Sequence, residues 1–223
     1  MEYYRESGSG KTTALLELVE GWESVSAVGL GRCRTVGLAF REMEPAYSAL
    51  LAAFPPTTRR IVTTTVPSDW NQRSFWTSAY THSEDYSLVV LDDQWEQLNE
   101  KGSPLLAFLS HLLTVGLHHW RITILLLCQG TGSTDSSQKL RSLLRQFQVF
   151  IVFSGLNVTA VRWLGGFLLP GRGKFLNSCL ETLPRRRGQF LFIDNRLEVP
   201  LRHKVATGKG LLSPDSVFVT FTQ

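Results

Sequence analysis

The sequence predicts an α/β fold with a doubly wound, mostly parallel sheet, in one domain over residues 1–223. Short apolar runs rich in β-branched residues alternate with segments of helical pattern along the chain. A glycine-rich stretch, residues 6–13, stands directly before one such helical segment, and a pair of aspartates closes one of the apolar runs. Because the carboxyl ends of parallel strands face the ligand crevice of such a sheet, these two features predict a binding site.

The composition permits a large folded core, and the net charge differs between the two parts of the chain. Hydrophobic residues make up 43% of the 223 residues, which is enough for one large α/β domain. Residues 1–157 carry 13 Lys and Arg against 15 Asp and Glu, whereas residues 158–223, the basic C-terminal part of the same domain, carry 10 against 4. This basic part suits a polyanionic partner, and a solvated basic face is the alternative.

The sequence does not indicate a membrane protein or a secreted one. The three cysteines are odd in number and widely spaced, so they fit neither a disulfide framework nor a zinc site. No signal-peptide pattern opens the sequence. The apolar stretch Val149–Pro170 contains Asn157, Arg162 and a Gly-Gly pair, which predicts a buried strand followed by an apolar helix rather than a membrane span.

The glycine-rich stretch ESGSGKTT, residues 6–13, has the character of a phosphate-binding loop. Its glycines permit backbone angles that turn the N–H groups inward around an anion. Lys11 would bring an ammonium to the β- and γ-phosphates, and the Thr12 hydroxyl would coordinate Mg²⁺. The helix predicted at residues 13–22 would direct the positive end of its dipole at the phosphates. The residues predicted to bind the nucleotide are Gly8, Ser9, Gly10, Lys11, Thr12 and Thr13.

Two features depart from the complete phosphate-loop motif. The pattern G-x-x-x-x-G-K-[ST] requires a first glycine where this chain has Arg5. The strand that should precede the loop is reduced to MEYYR, although a buried parallel strand is usually a run of Val, Ile and Leu. Either Tyr3 and Tyr4 form a short strand or, as we expect, the start of the protein is missing from this sequence and the first strand is truncated.

The other strands and helices follow from the apolar pattern and from helix caps. Helices are predicted at residues 45–54, with proline in the first turn, at 103–117, which begins Ser-Pro, around Arg141 and Arg145, and over 158–183. Strands are predicted at residues 34–40, 61–66, 88–93, 122–127, 149–153, 189–194, 202–206 and 216–221.

Three aromatic residues stand at helical spacing between two of these strands. Trp70, Phe75 and Trp76 lie in an otherwise polar stretch, residues 68–86. Large aromatic rings at this spacing serve either as anchors of a core or as a surface on which bases stack. We predict that they are core anchors.

Asp92 and Asp93 close the apolar run LVVLDD about eighty residues after Lys11. A nucleoside triphosphatase needs carboxylates opposite its phosphates. The first would hold the water shell of Mg²⁺, and the second would orient or deprotonate the attacking water. Two aspartates at a strand end would by themselves indicate only a turn, but together with GSGKTT they predict a site of ATP hydrolysis.

Gln129 and two arginines are further candidates for this site. Gln129 follows the strand at 122–127, so its amide is predicted to sense the γ-phosphate or the attacking water, and a simple strand cap is the alternative. Arg141 and Arg145 lie one helical turn apart. They would either bind phosphates in a neighbouring subunit or remain solvated.

Two other clusters have weaker functional interpretations. The run Arg185-Arg186-Arg187 is either a solvated turn or a contact for DNA phosphates. His111, His118 and His119 have no Cys or carboxylate at ligand spacing, which predicts residues at the end of a helix rather than a metal site.

Several segments together resemble the genome-packaging ATPases of eukaryotic DNA viruses, which belong to the FtsK–HerA class of P-loop motors. These segments are GSGKTT, LVVLDD, HHWRITILLLCQ, LRSLLRQFQVFIVF and GQFLFIDNRLEVPLRHKV. The phosphate loop is generic, whereas the double histidine before a strand ending in Gln, followed by an Arg-bearing helix and a strand, is more specific. The chain is similar to the packaging proteins of poxviruses and adintoviruses from Gly8 to about Val205.

The resemblance implies a P-loop NTPase fold of the RecA/FtsK–HerA-like type and a defined set of roles. Lys11 and Thr12 would bind ATP and Mg²⁺, and Asp92 with Asp93 would form the Walker B pair. Gln129 would be the strand-end sensor, and Arg141 would act in trans.

The resemblance also implies partners and a location. The protein would form a homo-oligomeric ring, usually a hexamer, that hydrolyses ATP to drive double-stranded DNA into a preformed capsid. Its partners would be DNA and a capsid or portal vertex, and no membrane would be involved. It would act inside the host cell, in the nucleus or at a cytoplasmic assembly site, or in association with the virion.

Two other functions remain open at this stage. A P-loop helicase or another replication ATPase would also hydrolyse ATP with DNA stimulation, but a helicase would separate strands without a capsid. A non-catalytic nucleotide-binding or DNA-binding capsid component would show no turnover. The departure at Arg5 and the short first strand are the features that favour this last alternative.

Overall fold

The structure is a computed structural model in which two compact units are defined. It describes residues 15–16, 19, 31–41, 45–127, 138–147, 149–153, 178, 190–194, 204–208 and 217–220. One unit comprises residues 18–128, and the other comprises residues 1–17 together with 129–223. The single domain proposed over residues 1–223 stays a prediction.

The unit formed by residues 18–128 contains a four-stranded parallel sheet. Its strands are β1 (Cys33–Phe40), β2 (Arg59–Thr63), β3 (Tyr86–Asp92) and β4 (Ile122–Leu127), in the order β2-β1-β3-β4. Every neighbouring pair is parallel. β1 and β3 are buried along almost their whole length, which explains their continuous apolar sequences. The predicted α/β fold with a parallel sheet is confirmed.

Helices connect the strands of this sheet. They are α1 (Pro45–Ala52), a 3₁₀ helix (Ser68–Asn71), α2 (Arg73–Thr77), α3 (Trp95–Asn99), α4 (Pro104–His111) and α5 (Leu117–His119), with a π-helical turn at Leu112–Gly116 between the last two. The Ser103 hydroxyl accepts a hydrogen bond from the Leu106 N–H over 3.3 Å, and Pro104 opens α4. This is the Ser-Pro start that the sequence predicts. The π-helical turn was not predicted.

The strand predicted at residues 61–66 is displaced toward the amino terminus. β2 begins at Arg59, which pairs with Thr35 of β1, and ends at Thr63. β2 is paired only with β1 within the described sheet, and its residues alternate between half-buried and exposed, with Arg60 exposed. A charged residue is tolerated in a strand of this kind, and the apolar pattern therefore places its start too late.

The core beside β1 is built from two tryptophans that approach a glycine. Trp70 and Trp76 are fully buried, and the Trp76 indole N–H donates to the Trp70 carbonyl oxygen over 2.7 Å. A Cβ at Gly37 would lie 2.7 Å from ring atoms of both tryptophans, so only glycine leaves room for them. Phe75 is half-buried, with the Arg59 guanidinium 4.2 Å from its ring centroid. The two tryptophans are the core anchors that the spacing predicts.

A buried carboxylate joins β1 and β3 at their amino ends. Asp85, which is 1% exposed, accepts a hydrogen bond from Arg34 Nε over 2.8 Å and others from the backbone N–H groups of Thr81, His82 and Arg32. Burial acts to raise the pKa of Asp85, but these four donors together hold it well below the ordinary value. The network fixes the end of the sheet opposite the aspartate pair.

The unit that contains residues 129–223 has a second sheet of different topology. Its strands β5 (Val149–Phe153), β6 (Phe190–Asp194), β7 (Lys204–Gly208) and β8 (Val217–Thr220) pair antiparallel in that order. All four were predicted close to these positions, but not in a separate antiparallel sheet. The connections at residues 195–203 and 209–216 are shorter than the roughly twelve residues that a parallel crossover needs. Antiparallel pairing is therefore the arrangement that these two connections permit for β6–β7 and β7–β8.

Helix α6 (Gln138–Leu144) belongs to the same unit as β5–β8. Of the helical stretch predicted at 158–183, the structure describes Ser178, which is helical, and the other residues lie outside the described part of the chain. Among the described helices, none is long and apolar enough to span a membrane.

Candidate functional site

The carboxyl ends of three neighbouring strands lie in register. Asp92, the last residue of β3, pairs with Phe40 at the end of β1 and with Leu127 at the end of β4. Ligands of open α/β sheets bind outside these carboxyl ends. The structure thus places the first predicted carboxylate at the edge where such a site is expected.

Asp92 is almost completely buried and is held by a tyrosine from α1. Its side chain is 4% exposed, and its Oδ2 atom accepts a hydrogen bond from the Tyr47 hydroxyl over 2.8 Å. The Tyr47 ring in turn stacks on the ring of Phe40, with centroids 5.0 Å apart and planes 29° apart. A buried carboxylate is stable only with such hydrogen-bond donors, so Tyr47 is part of the site.

Asp93 turns the chain out of the strand. It is half-buried and has φ of 54°, in the left-handed region that Asp tolerates better than most residues. Side chains of consecutive strand residues point to opposite faces of a sheet. The turn at Asp93 ends this alternation. The Asp93 side chain therefore need not point to the face of the sheet opposite that of Asp92.

Gln94 completes a run of three polar residues after the apolar strand. It is 2% exposed, and its side-chain Nε2 is buried without a hydrogen-bond partner. Its carbonyl oxygen accepts a hydrogen bond from the Leu98 N–H over 3.0 Å at the start of α3. Buried polar atoms without partners are uncommon in folded proteins. Neither Gln94 nor Tyr47 belongs to a known motif, so the sequence pattern alone assigns no role to either residue.

An exposed ion pair lies beyond the same strand ends. Arg41, which follows β1, contacts Glu96 of α3 with an N···O distance of 3.1 Å. Both side chains are more than half exposed, so the pair contributes little to stability.

The two aspartates fit the Mg²⁺ that the sequence predicts. Mg²⁺ is usually bound by one or two carboxylates together with phosphate oxygens rather than by a cage of protein ligands. Asp92 supplies one such carboxylate at the end of β3, and Asp93 follows it directly at the turn. Within the described residues, no group of three or more His, Cys, Asp or Glu could hold a metal ion by itself.

The predicted phosphate loop and the sensor lie outside the described residues. These are Gly8, Ser9, Gly10, Lys11, Thr12, Thr13 and Gln129. Immediately after the loop, Leu15 and Leu16 are helical and Leu15 is buried. This agrees with the helix predicted at residues 13–22, and the roles of the loop and of Gln129 stay predictions.

The candidate trans-acting arginines occupy the exposed side of α6. Arg141 lies within the helix, and the backbone N–H of Arg145 donates to its carbonyl oxygen over 3.2 Å just beyond the helix end. Both residues are exposed, whereas Leu140, Leu143 and Leu144 are buried. The predicted spacing of one turn is confirmed, and a role in a neighbouring subunit stays a prediction. Arg185, Arg186 and Arg187 lie outside the described residues.

The histidines have the helix-end positions that the sequence predicts. His111 ends α4, and its ring contacts that of Trp120 with centroids 5.0 Å apart. His118 and His119 end α5 and are exposed. The ring contact gives His111 a packing role.

The fold resembles that of a viral packaging protein. The chain is similar to the genome packaging NTPase B204 from Sulfolobus turreted icosahedral virus 2 in complex with AMP, with a TM-score of 0.60 and 15% identity over 92% of this chain and 94% of that one. The same NTPase in complex with ATP-gammaS gives a TM-score of 0.58 and 13% identity over 92% and 93%. No protein-family model and no curated protein matches the sequence. At these identities the likeness establishes a shared α/β fold.

Proposed function

We propose that the chain is an ATP hydrolase that drives double-stranded viral DNA into a capsid. The observation that carries the proposal is the buried Asp92 carboxylate at the carboxyl end of β3, followed by Asp93 at a left-handed turn. The fold shared with a genome packaging NTPase and the sequence GSGKTT support the same function. The nucleotide complexes of that NTPase favour ATP as the substrate.

The proposed hydrolysis divides the work between the phosphate loop and the aspartate pair. Lys11 and the loop N–H groups hold the β- and γ-phosphates. Thr12 and Asp92 would hold Mg²⁺, which would neutralise negative charge on the phosphates. Asp93 accepts a proton from the attacking water or orients it, and Gln129 reports the state of the γ-phosphate.

The proposed motor is a ring in which each subunit acts on its neighbour and on DNA. Arg141, exposed on α6, would reach the γ-phosphate of an adjacent subunit. The net positive charge of residues 158–223 suits contacts with DNA phosphates. Such contacts would bind DNA of any sequence. A capsid or portal vertex would receive the DNA. The protein would act in the host nucleus, at a cytoplasmic assembly site or in association with the virion.

The experiment that tests this function measures ATP hydrolysis with and without duplex DNA. We expect turnover that DNA stimulates, that requires Mg²⁺, and that Lys11→Ala abolishes without a change in the circular dichroism spectrum. Strand separation of a forked duplex would instead identify a helicase. Nucleotide or DNA binding with no turnover would identify a non-catalytic capsid component and overturn the proposal.

A salt series tests the DNA contact separately. Binding through phosphates should be insensitive to sequence and should weaken steeply with salt. Replacing Arg185, Arg186 and Arg187 with Ala should flatten the dependence of log K on log salt. If the slope stays as in the wild type, the arginine run is a solvated turn and other basic residues make the contact.

A further inference from the structure

We propose that Tyr47 is a positioning residue that fixes the Asp92 carboxylate in the orientation in which it serves nucleotide-bound Mg²⁺. This inference rests on the proposed ATPase function and extends it to α1, an element to which no sequence motif assigns a part in the site. The hydroxyl of Tyr47 lies 2.8 Å from Oδ2 of Asp92.

The contact is buried on both sides. Tyr47 is 2% exposed and Asp92 is 4% exposed. A carboxylate removed from water in this way requires donors within the protein, and a hydroxyl donating to a charged acceptor makes one of the stronger hydrogen bonds. The hydroxyl also restricts rotation of the carboxyl group, because rotation would break the bond to Oδ2.

The sheet itself determines where the hydroxyl stands. The Tyr47 ring stacks on Phe40, and Phe40 pairs with Asp92 across the β1–β3 ladder. The strand register places Phe40 beside Asp92, the ring of Phe40 positions the ring of Tyr47, and the Tyr47 hydroxyl bonds to Asp92. Tyr47 therefore holds Asp92 through contacts made entirely within the protein.

The chemical consequence concerns Asp92, the proposed Mg²⁺ ligand, rather than Asp93, the proposed base. Residues that orient a metal ligand without touching the metal typically alter metal affinity or activity by about 10- to 100-fold when they are removed. Tyr47→Phe retains the stacked ring and deletes only the donor. We expect the concentration of Mg²⁺ at half-saturation to rise by roughly 10-fold or more, with little change in nucleotide binding in EDTA.

The test uses the full chain and two readouts, one of which is independent of turnover. Equilibrium binding of a fluorescent, non-hydrolysable ATP analogue is measured across a Mg²⁺ series and in EDTA, and ATP turnover is measured across the same series. Tyr47→Phe should shift both Mg²⁺ curves to higher concentration. An unchanged or lower Mg²⁺ requirement would overturn the role of Tyr47.

Tyr80→Phe is the control, because it removes the hydroxyl of a half-buried tyrosine at the opposite end of the same sheet. That hydroxyl donates to the carbonyl oxygen of Trp120 over 2.8 Å and contacts Ser87 Oγ at 3.0 Å. The control should lower the melting temperature and leave the Mg²⁺ curves in place. Equal shifts for both variants would show general loosening of the fold and would also overturn the proposal.

Two further outcomes are distinguishable. If Tyr47→Phe does not fold, Phe40→Leu weakens the stacking while keeping the hydroxyl, and it should still raise the Mg²⁺ requirement; no increase would count against the proposal. If the wild-type chain binds no nucleotide with or without Mg²⁺, the proposed function itself fails. If the wild-type chain binds and hydrolyses ATP and Tyr47→Phe has the same Mg²⁺ requirement, the role of Tyr47 is overturned and the proposed function stands.

Discussion

The backbone N–H of Asp93 donates to the carbonyl oxygen of Leu127 over 3.3 Å, which couples the aspartate pair to the end of the neighbouring strand. Asp92 already pairs with Leu127 in the parallel ladder, so this bond extends the β3–β4 pairing to the residue at the left-handed turn. The position of Asp93 thus depends on β4 as well as on its own strand.

Replacement of each aspartate with asparagine should impair a different step, Mg²⁺-dependent binding at Asp92 and hydrolysis at Asp93. Asp93→Asn retains shape but removes the proposed base, so nucleotide binding should survive while turnover falls by about 10²-fold or more. Asp92→Asn should instead weaken Mg²⁺-dependent binding of the nucleotide. Binding isotherms with and without Mg²⁺, together with steady-state rates, separate the two effects. Identical behaviour of the two variants would contradict the division of roles.

Gly37→Ala should disturb the tryptophan core. The added methyl would lie 2.7 Å from ring atoms of Trp70 and Trp76, and such overpacking costs about 1–3 kcal/mol of unfolding free energy. Near-ultraviolet circular dichroism and urea unfolding measure the change.

Gly102→Ala is the control for this variant, because a Cβ there meets nothing within 4 Å. The φ of 77° at Gly102 still strains an alanine, so stability should fall without a change in the tryptophan signal. An unchanged near-ultraviolet spectrum together with unchanged stability for Gly37→Ala would contradict the predicted overpacking.

Asp85→Asn should lower stability at neutral pH and reduce its dependence on acid. The folded-state pKa of Asp85 lies below the unfolded value, so its stabilisation is fully present above about pH 4 and is lost as pH falls toward the folded pKa. We expect a loss of about 2–4 kcal/mol at pH 7 and a shallower decline below pH 4 than in the wild type.

Urea unfolding at several pH values tests this prediction. Glu84→Gln provides the comparison, since Glu84 is an exposed neighbour that pairs with Arg121 on the surface. It should change stability little at any pH. Equal losses for the two variants would mean that the buried network does not hold the amino end of the sheet.

Mixed rings test whether Arg141 acts on a neighbouring subunit. Lys11→Ala and Arg141→Ala should each be inactive alone, because a trans-acting arginine is worth as much as ~10³–10⁵ in rate. Combined, they should regain part of the activity at interfaces that join an intact loop to an intact arginine. Rates are measured under conditions where mixing is verified with differently tagged subunits. No recovery there would transfer the role to Arg145 or to a basic residue in 158–223.

The sequence predicts the parallel sheet well because its buried strands are nearly uniform in character. β4 has the bounds that were expected, and Asp92 lies at the strand end that its apolar run indicates. The bounds of β5, in the second sheet, were also as expected. The pairing of β5 with β6 joins residues on either side of the long stretch 154–189, and local pattern does not encode such a contact. Tyr47 was missed for a related reason, since a tyrosine in an apolar helix has the pattern of a core residue until its hydroxyl is seen beside Asp92.

The contact between Gly37 and the paired tryptophans also limits how related sequences can diverge. A side chain at position 37 would enter space that Trp70 and Trp76 already fill, and the Trp76 indole is tied to the Trp70 backbone. These three positions should therefore covary: a homologue with alanine or a larger residue in place of Gly37 should carry a smaller ring at 70 or 76. Inheritance of the trio as a set would identify distant members of this lineage even where the residues around the phosphate loop have changed.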